Sequence, residues 1–313
     1  MMRRRGWLVW ALLLSAGSAA PQRKAAKKMN TDIPLYQMIR AGDTISIGRI
    51  AAVKTEPGNR PGVEMLHIDV QLEETLYGKS TASRHTYSVE LPASEVARLK
   101  FPDPVWGRVE IAQGVQILVV TPPANGHDVN PVYVDQINDP ADPVLRQVRN
   151  LCRHAADSQP PAEASILREL QWLGSGQRLE KLFAGESLAK EGAQVRELRG
   201  RVIAAYAKAF AAEPDPYIKI NLGTWLWEDI FPLADESDQA RILNATIPAT
   251  ASKQANVRDF AMDRLTSASP GLYNARSLSA APALPHLLEE RKRQEQDEEV
   301  RKHIDDILAA LRK

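Results

Sequence analysis

The chain has 313 residues, 44% of them apolar, with 40 basic and 39 acidic side chains. This length can bury a sizeable core and fits about two domains, while a charge balance so near zero is poor footing for binding nucleic acid through its phosphates. A single cysteine, Cys152, excludes an internal disulfide, so stability rests on ordinary burial.

Met1 to Ala20 read as a secretory signal. Arg3, Arg4 and Arg5 precede an apolar run from Trp7 to Leu14, then the small residues Ser15 to Ala20. The run is about half of the ~20 residues that span a bilayer, so cleavage is expected rather than a permanent anchor. Without these three arginines, acids outnumber bases by two. Residues 21–40 then read as a leader, with Lys24, Lys27 and Lys28 as a solvated basic tail. The expected compartment is the periplasm or the exterior.

From Thr44 to Val134 the apolar period is two, which predicts a β-rich domain over 41–138. Leu66, Ile68, Val70 and Leu72 share one face, and Tyr87, Val89 and Leu91 repeat the scheme. Val115 to Val120 is a continuous apolar run, as expected for a strand buried on both faces. Pro57 to Gly62 predicts a turn between the first two strands. Five or six strands predict a small barrel or sandwich. The strand Ile45–Val53, the long strand ending Leu76-Tyr77-Gly78, and Gly114 just before Val115–Val120 together resemble netrin-like, OB-type exported barrels, including the module of tissue inhibitors of metalloproteinases.

After Asp139-Pro140-Ala141-Asp142-Pro143 the period becomes helical, predicting an all-α domain over 139–313 and so an α+β fold class. Helices are expected near 144, at 162–173, 192–212, 216–230, 236–246, 254–267 and 281–293, and a last one carrying Val300, Ile304, Ile307, Leu308 and Leu311. An aliphatic-basic pair recurs as Val195-Arg196, Ile218-Lys219, Val257-Arg258 and Val300-Arg301, the last three 39 and 43 residues apart. Apolar residues follow each of these three: Leu222 and Leu226, Ala261 and Leu265, Ile304 and Leu308. This resembles HEAT repeats, whose period is about 40–47 residues. The resemblance implies stacked helical hairpins that present a protein-binding surface.

Motifs for chemistry are weak. Gly78-Lys79-Ser80-Thr81 matches the end of a P-loop, but Glu73 stands where the motif needs a glycine, and the context predicts a strand end. Cys152-Arg153-His154 offers two ligands, short of a zinc set. Gly126-His127-Asp128 reads as a polar turn. Gly174-Ser175-Gly176 is no nucleophile elbow. Glu73 and Glu74 point to opposite strand faces and cannot share a substrate. No catalytic, cofactor-binding or metal-ligating residue is therefore expected. Tyr217 to Phe231 is apolar on two faces, which makes Tyr217, Trp225, Trp227 and Phe231 the candidate partner-binding residues, with burial between layers as the plainer explanation. The expected function is that of an exported, non-enzymatic interaction or scaffold protein with a protein partner. The alternatives are an envelope enzyme acting on glycan or peptide, and an inhibitor of an exported hydrolase.

Overall fold

The computed structural model describes residues 28–80, 83–96, 105–107, 109–123, 130–157, 163–267, 281–296 and 298–312. The signal segment, Lys24 and Lys27, Gly126-His127-Asp128 and Thr81 lie outside the described residues. The layout is α+β. A short helix α1 (Leu35–Ala41) leads into β1 (Thr44–Pro57), β2 (Val63–Tyr77), β3 (Arg84–Pro92), the single turn α2 (Ala93–Val96), β4 (Gln116–Thr121) and β5 (Tyr133–Gln136). Helices follow as α3 (Pro143–Asp157), α4 (Glu163–Ser175), α5 (Arg178–Lys190), α6 (Arg199–Ala212), α7 (Pro216–Trp225), α8 (Glu236–Thr246), α9 (Ala255–Ser267), α10 (Leu284–Gln294) and α11 (Glu298–Leu311). Among the described residues, no helix is long and apolar enough to cross a membrane.

The strands form one antiparallel sheet in the order β3-β2-β1-β4-β5. Among the described residues β3 and β5 are its edges, so the β half is an open sheet and neither a closed barrel nor a two-sheet sandwich. Closure is unnecessary because other elements cover both faces. Ile45, Ile47, Leu118 and Val120 pack with α1, α3 and α5. Ile50, Ile117, Val119, Val134 and the apolar rows of β2 and β3 pack under Trp106, Val109 and Ile111. β4 thus has a core on each side, as its unbroken apolar run predicts. The predicted turn joins β1 to β2, with Gly62 at φ +78°. Gly78 closes β2 at φ +79°, where a Cβ would stand 3.1 Å from the Asp43 carbonyl oxygen. That backbone conformation accounts for the glycine of the Gly78-Lys79-Ser80-Thr81 tetrad without a phosphate.

Two helical elements escape the sequence patterns. Within the expected leader, Met29, Ile33, Leu35, Tyr36, Met38 and Ile39 are buried, while Lys28, the one described lysine of the basic tail, is exposed. α5 is buried from Leu182 to Ala189 without a break, so it carries no one-sided stripe for the eye to find.

The helices stack in two layers. α4 packs on α6 and α6 on α8, while α3 packs on α5, α5 on α7, α7 on α9 and α9 on α11. The three evenly spaced aliphatic-basic pairs open α7, α9 and α11, all in the second layer. The apolar residues after them are buried: Leu222, Leu226, Ala261, Leu265, Ile304 and Leu308. The sequence period is therefore the distance from one helix of that layer to a later one. The mixed-charge segment after Glu289 lies on the outside, where Lys292 meets Asp305 at 2.6 Å and Arg312 meets Glu289 at 3.1 Å across α10 and α11.

Candidate functional site

The segment before α1 crosses the seam between sheet and helices. The Asn30 amide donates to Asp135 Oδ2 on β5 at 2.7 Å, and Arg178 Nε on α5 donates to Asp32 Oδ1 at 2.6 Å. Met29 and Ile33 are buried beneath it. Beside this crossing lies a cavity of about 470 Å³, with Met29, Pro143, Val144 and Leu179 among its apolar lining and Gln147, Gln177 and Arg178 among its polar groups. By surface area the lining is mainly apolar, as in many binding sites, although most of the residues that contribute to it are polar. Lys28, Asp139 and Asp142 also line it. Both carboxylates are engaged by backbone: Asp139 Oδ1 accepts from Ala141 N and Asp142 Oδ1 from Val144 N, each at 2.8 Å. Asp142 thereby offsets the positive amino end of α3.

Gln147 in this wall is satisfied on one side of its amide alone. Its Nε2 donates to Gln177 Oε1 at 2.6 Å and to the Pro143 carbonyl at 3.3 Å. Turning the amide over would set its oxygen against that carbonyl, so the orientation is fixed by a group that can only accept. Gln177 is also held, because it forms a capping box with Glu180 at the start of α5. Gln147 Oε1 is left buried without a hydrogen-bond partner among the described residues. A buried unsatisfied acceptor costs about 1–3 kcal/mol.

Arg178 links the cavity to the predicted partner-binding residues. It also pairs with Asp215, the cap of α7, and its guanidinium lies 4.8 Å from the Tyr217 ring centroid. Tyr217 is 45% exposed. With Asn221 and the half-buried Trp225 it lines a narrower groove of about 90 Å³ against α1 and α5. Trp225 lies over Gly185, where a Cβ would meet its ring at 2.9 Å, so glycine lets α5 and α7 approach. The other two candidates lie elsewhere. After α7 the chain widens into a π turn, Leu226–Ile230, and Trp227 turns into the interior, 8% exposed and stacked on Phe231 at 4.6 Å. Of the four residues, the seam groove receives Tyr217 and Trp225.

α1 is docked on α5 by polar contacts. Gln37 Nε2 donates to Glu186 Oε1 and the Tyr36 hydroxyl to Glu191 Oε1, both at 3.0 Å. Burial raises the Glu186 carboxyl above its ordinary range, with the Gln37 hydrogen bond opposing the shift.

A buried cluster on α3, α4 and α5 has the residue types of hydrolase chemistry without its geometry. His154 Nε2 lies 3.0 Å from Glu169 Oε1 and 3.1 Å from Ser165 Oγ, and Ser187 Oγ donates to Glu169 Oε2 at 2.8 Å. In a catalytic triad the serine and the carboxylate hold opposite ring nitrogens. Here both contact the same one. A nitrogen that donates to Glu169 is no base for Ser165.

The remaining sequence candidates have structural partners. Glu73 pairs with Arg49 at 2.7 Å on one face of β2, and Glu74 pairs with Arg149 of α3 at 2.7 Å on the other. Ser175 Oγ donates to the Gln171 carbonyl at the end of α4. Cys152 is buried within α3, and desolvation pushes its thiol up to about 12. At pH 8 the native protein is expected to resist iodoacetamide and the protein in urea to react fully. Rapid native labelling would show an opening at α3 that this burial does not allow.

Gln147 and Arg178 carry the site, and no local pattern marks either one. Among the described residues, no group of three or more metal-ligating side chains comes together. Comparison with family models, with curated proteins and with solved structures finds no match to this chain.

Proposed function

We propose that this is an exported interaction or scaffold protein of the periplasm or cell envelope, and that it holds a partner protein at the seam between its sheet and its helices. The observation that carries this reading is the cavity beside Gln147 and Arg178, whose Arg178 guanidinium also lies against the exposed Tyr217 of the neighbouring groove. Its polar groups include amides, backbone-engaged carboxylates and the ion-paired Arg178, with Lys28 beside them, a set that suits a polypeptide better than a reacting centre. The two-layer stacking and the repeated pairs opening α7, α9 and α11 support a HEAT-like array as the rigid half of the clamp. The basic, apolar and small-residue order of Met1 to Ala20 supports the extracytoplasmic setting.

Photo-crosslinking in intact cells tests the reading. A benzoylphenylalanine at Asn221, in the groove, is expected to trap one discrete protein in the extracytoplasmic fraction. The same group at exposed Lys208 on α6 is expected to trap none. Arg178→Ala is expected to weaken the Asn221 adduct. Equal adducts at both positions, or none at Asn221, would overturn the seam as the partner site.

A further inference from the structure

We infer that the β3 edge of the sheet docks a second copy of this chain, the two β3 strands pairing antiparallel about Tyr87 so that Arg84 of each stands opposite Glu90 of the other. The inference is independent of the seam and concerns the opposite edge of the sheet.

The backbone of the edge is unsatisfied. β2 and β3 pair without a register shift, from Val63 opposite Pro92 to Gln71 opposite Arg84. Just beyond the two ends of that ladder, Ala93 N donates to Gly62 O and Leu72 N to Ser83 O. Antiparallel hydrogen bonding alternates along a strand, so His85, Tyr87, Val89 and Leu91 turn their backbone groups to β2. Arg84, Thr86, Ser88 and Glu90 turn theirs outward, and all four residues are exposed. Among the described residues, the backbone groups of these four have no hydrogen-bond partner. Such an edge is a template for another strand, and proteins usually blunt it with lysines, bulges or prolines. β3 carries no lysine and no bulge, and its proline stands at the very end of the strand. The other edge, β5, is four residues long, and the segment before α1 is tied to it through Asn30 and Asp135.

The side chains leave the edge clear. Arg84 Nη2 donates to Asp69 Oδ2 at 2.5 Å and Thr86 Oγ1 to Asp69 Oδ1 at 2.6 Å, while Ser88 Oγ lies 2.9 Å from His67 Nδ1. All three are drawn toward β2 rather than across the open side.

The charge order selects the occupant. Arg84 and Glu90 are equidistant from Tyr87, and the residues between them on the exposed face, Thr86 and Ser88, are uncharged. A two-fold axis at Tyr87 therefore makes the strand complementary to itself. It sets outward residues against outward residues, Thr86 against Ser88 and Arg84 against Glu90, so each gives and takes a backbone hydrogen bond. Within its own chain Arg84 already meets Asp69, and Glu90 meets Arg60 at 3.4 Å. Pairing joins these into a row of alternating sign, Asp69, Arg84, Glu90, Arg60, at both ends of the joint. This match of the strand to itself favours a second copy over a strand of another protein. One strand edge buries less than the ~1,200 Å² of a standard interface, so the dimer is weak and concentration-dependent. Because β3 and β5 are opposite edges, both seams stay open in the pair, which can then hold a partner at two points.

The test is sedimentation equilibrium of the chain from Pro21 onward, the expected exported form, between about 10 µM and about 500 µM, the range of a weak interface. The unmodified chain is expected to pass from monomer to dimer. Arg84→Glu and Glu90→Arg each place like charges opposite one another at both ends of the joint, and each is expected to dimerise at least ~10-fold more weakly. Mixed in equal amounts, the two variants face each other with opposite charges, and the mixture is expected to associate within about 3-fold of the unmodified chain. Melting temperatures check that both variants fold. Amide exchange in the unmodified chain stands even if one does not: the Thr86 and Ser88 N–H groups are expected to exchange more slowly as the concentration rises, and Tyr87 N–H, already bonded to β2, is not. A chain that stays monomeric throughout, a dimer that neither charge reversal weakens, a mixture that does not recover, or exchange at Thr86 and Ser88 that ignores concentration would overturn the inference.

Discussion

Replacing Trp227 with alanine is expected to destabilise the fold by about 3–5 kcal/mol, in the range for large aromatic truncations in a core. The side chain is 8% exposed and stacks on Phe231. Its Nε1 donates to Thr246 Oγ1 at 3.1 Å, and that hydroxyl donates to the Ile242 carbonyl at 2.9 Å. Truncation empties a space between the π turn and α8 that rigid neighbours fill only in part, and it removes one of the two partners of a buried hydroxyl. Trp227→Phe keeps most of the volume but loses the N–H and part of the ring system, so a smaller cost of about 1–2 kcal/mol is expected. Tyr217→Ala is the contrasting case. The ring is half exposed, and its contact with Arg178 is of a kind worth about 0.5–1 kcal/mol at such a site. Urea denaturation of the three variants measures these differences. A Trp227→Ala protein that melts like the parent and has lost its crosslinked partner would make Trp227 an interface anchor instead of a packing residue.

The two halves were legible in the sequence because each carries the period of its own secondary structure. Leu66, Ile68, Val70 and Leu72 alternate on a strand with one covered face, and Val115 to Val120 do not alternate because β4 is covered on both. The same logic explains the failure at α5. A helix surrounded by α3, α4 and α7 is apolar or small nearly all round, and Gly185, which reads as a helix breaker, is there to admit Trp225. α1 is only seven residues long and owes its order to docking, although Gly42 at φ +79° is a conventional helix stop that could have marked it. The open sheet was out of reach because closure depends on whether β3 meets β5, and strand patterns are silent on that.

The seam is illegible for a related reason. Gln147 and Gln177 are 30 residues apart, and Arg178 and Asp32 are 146 apart. Every side chain in it is of an ordinary type, and only the fold brings them together. Tyr217 and Trp225, which line the groove, could be named as candidates because large aromatics stand out in a sequence. The orphaned oxygen of Gln147 could be found only from hydrogen-bond geometry.

The buried cluster behind the seam gives the second large expected effect. His154, Glu169, Ser165 and Ser187 are each under 8% exposed. His154→Ala leaves the Glu169 carboxylate with Ser187 as its remaining partner in a region of low polarity. It also strips the edge contacts that the imidazole makes with Trp172 at 4.7 Å and Phe183 at 6.3 Å. A loss of about 3–5 kcal/mol is expected, because removing one member of a buried polar pair strands the other. The double variant His154→Leu, Glu169→Leu is expected to lose less than the sum of the two single changes, since it removes both groups that need solvation. Denaturation of the single and double variants at neutral pH yields that coupling directly. Additive losses would mean that the two side chains act by volume alone. A single loss under about 1 kcal/mol would mean that water reaches Glu169. The coupling matters for the site because the cluster joins α3, α4 and α5, and the first turns of α3 and α5 supply Pro143, Val144, Gln147, Arg178 and Leu179 to the cavity wall. The cluster thus holds those helices in register, and its loss is expected to weaken the Asn221 photo-adduct even in variants that remain folded.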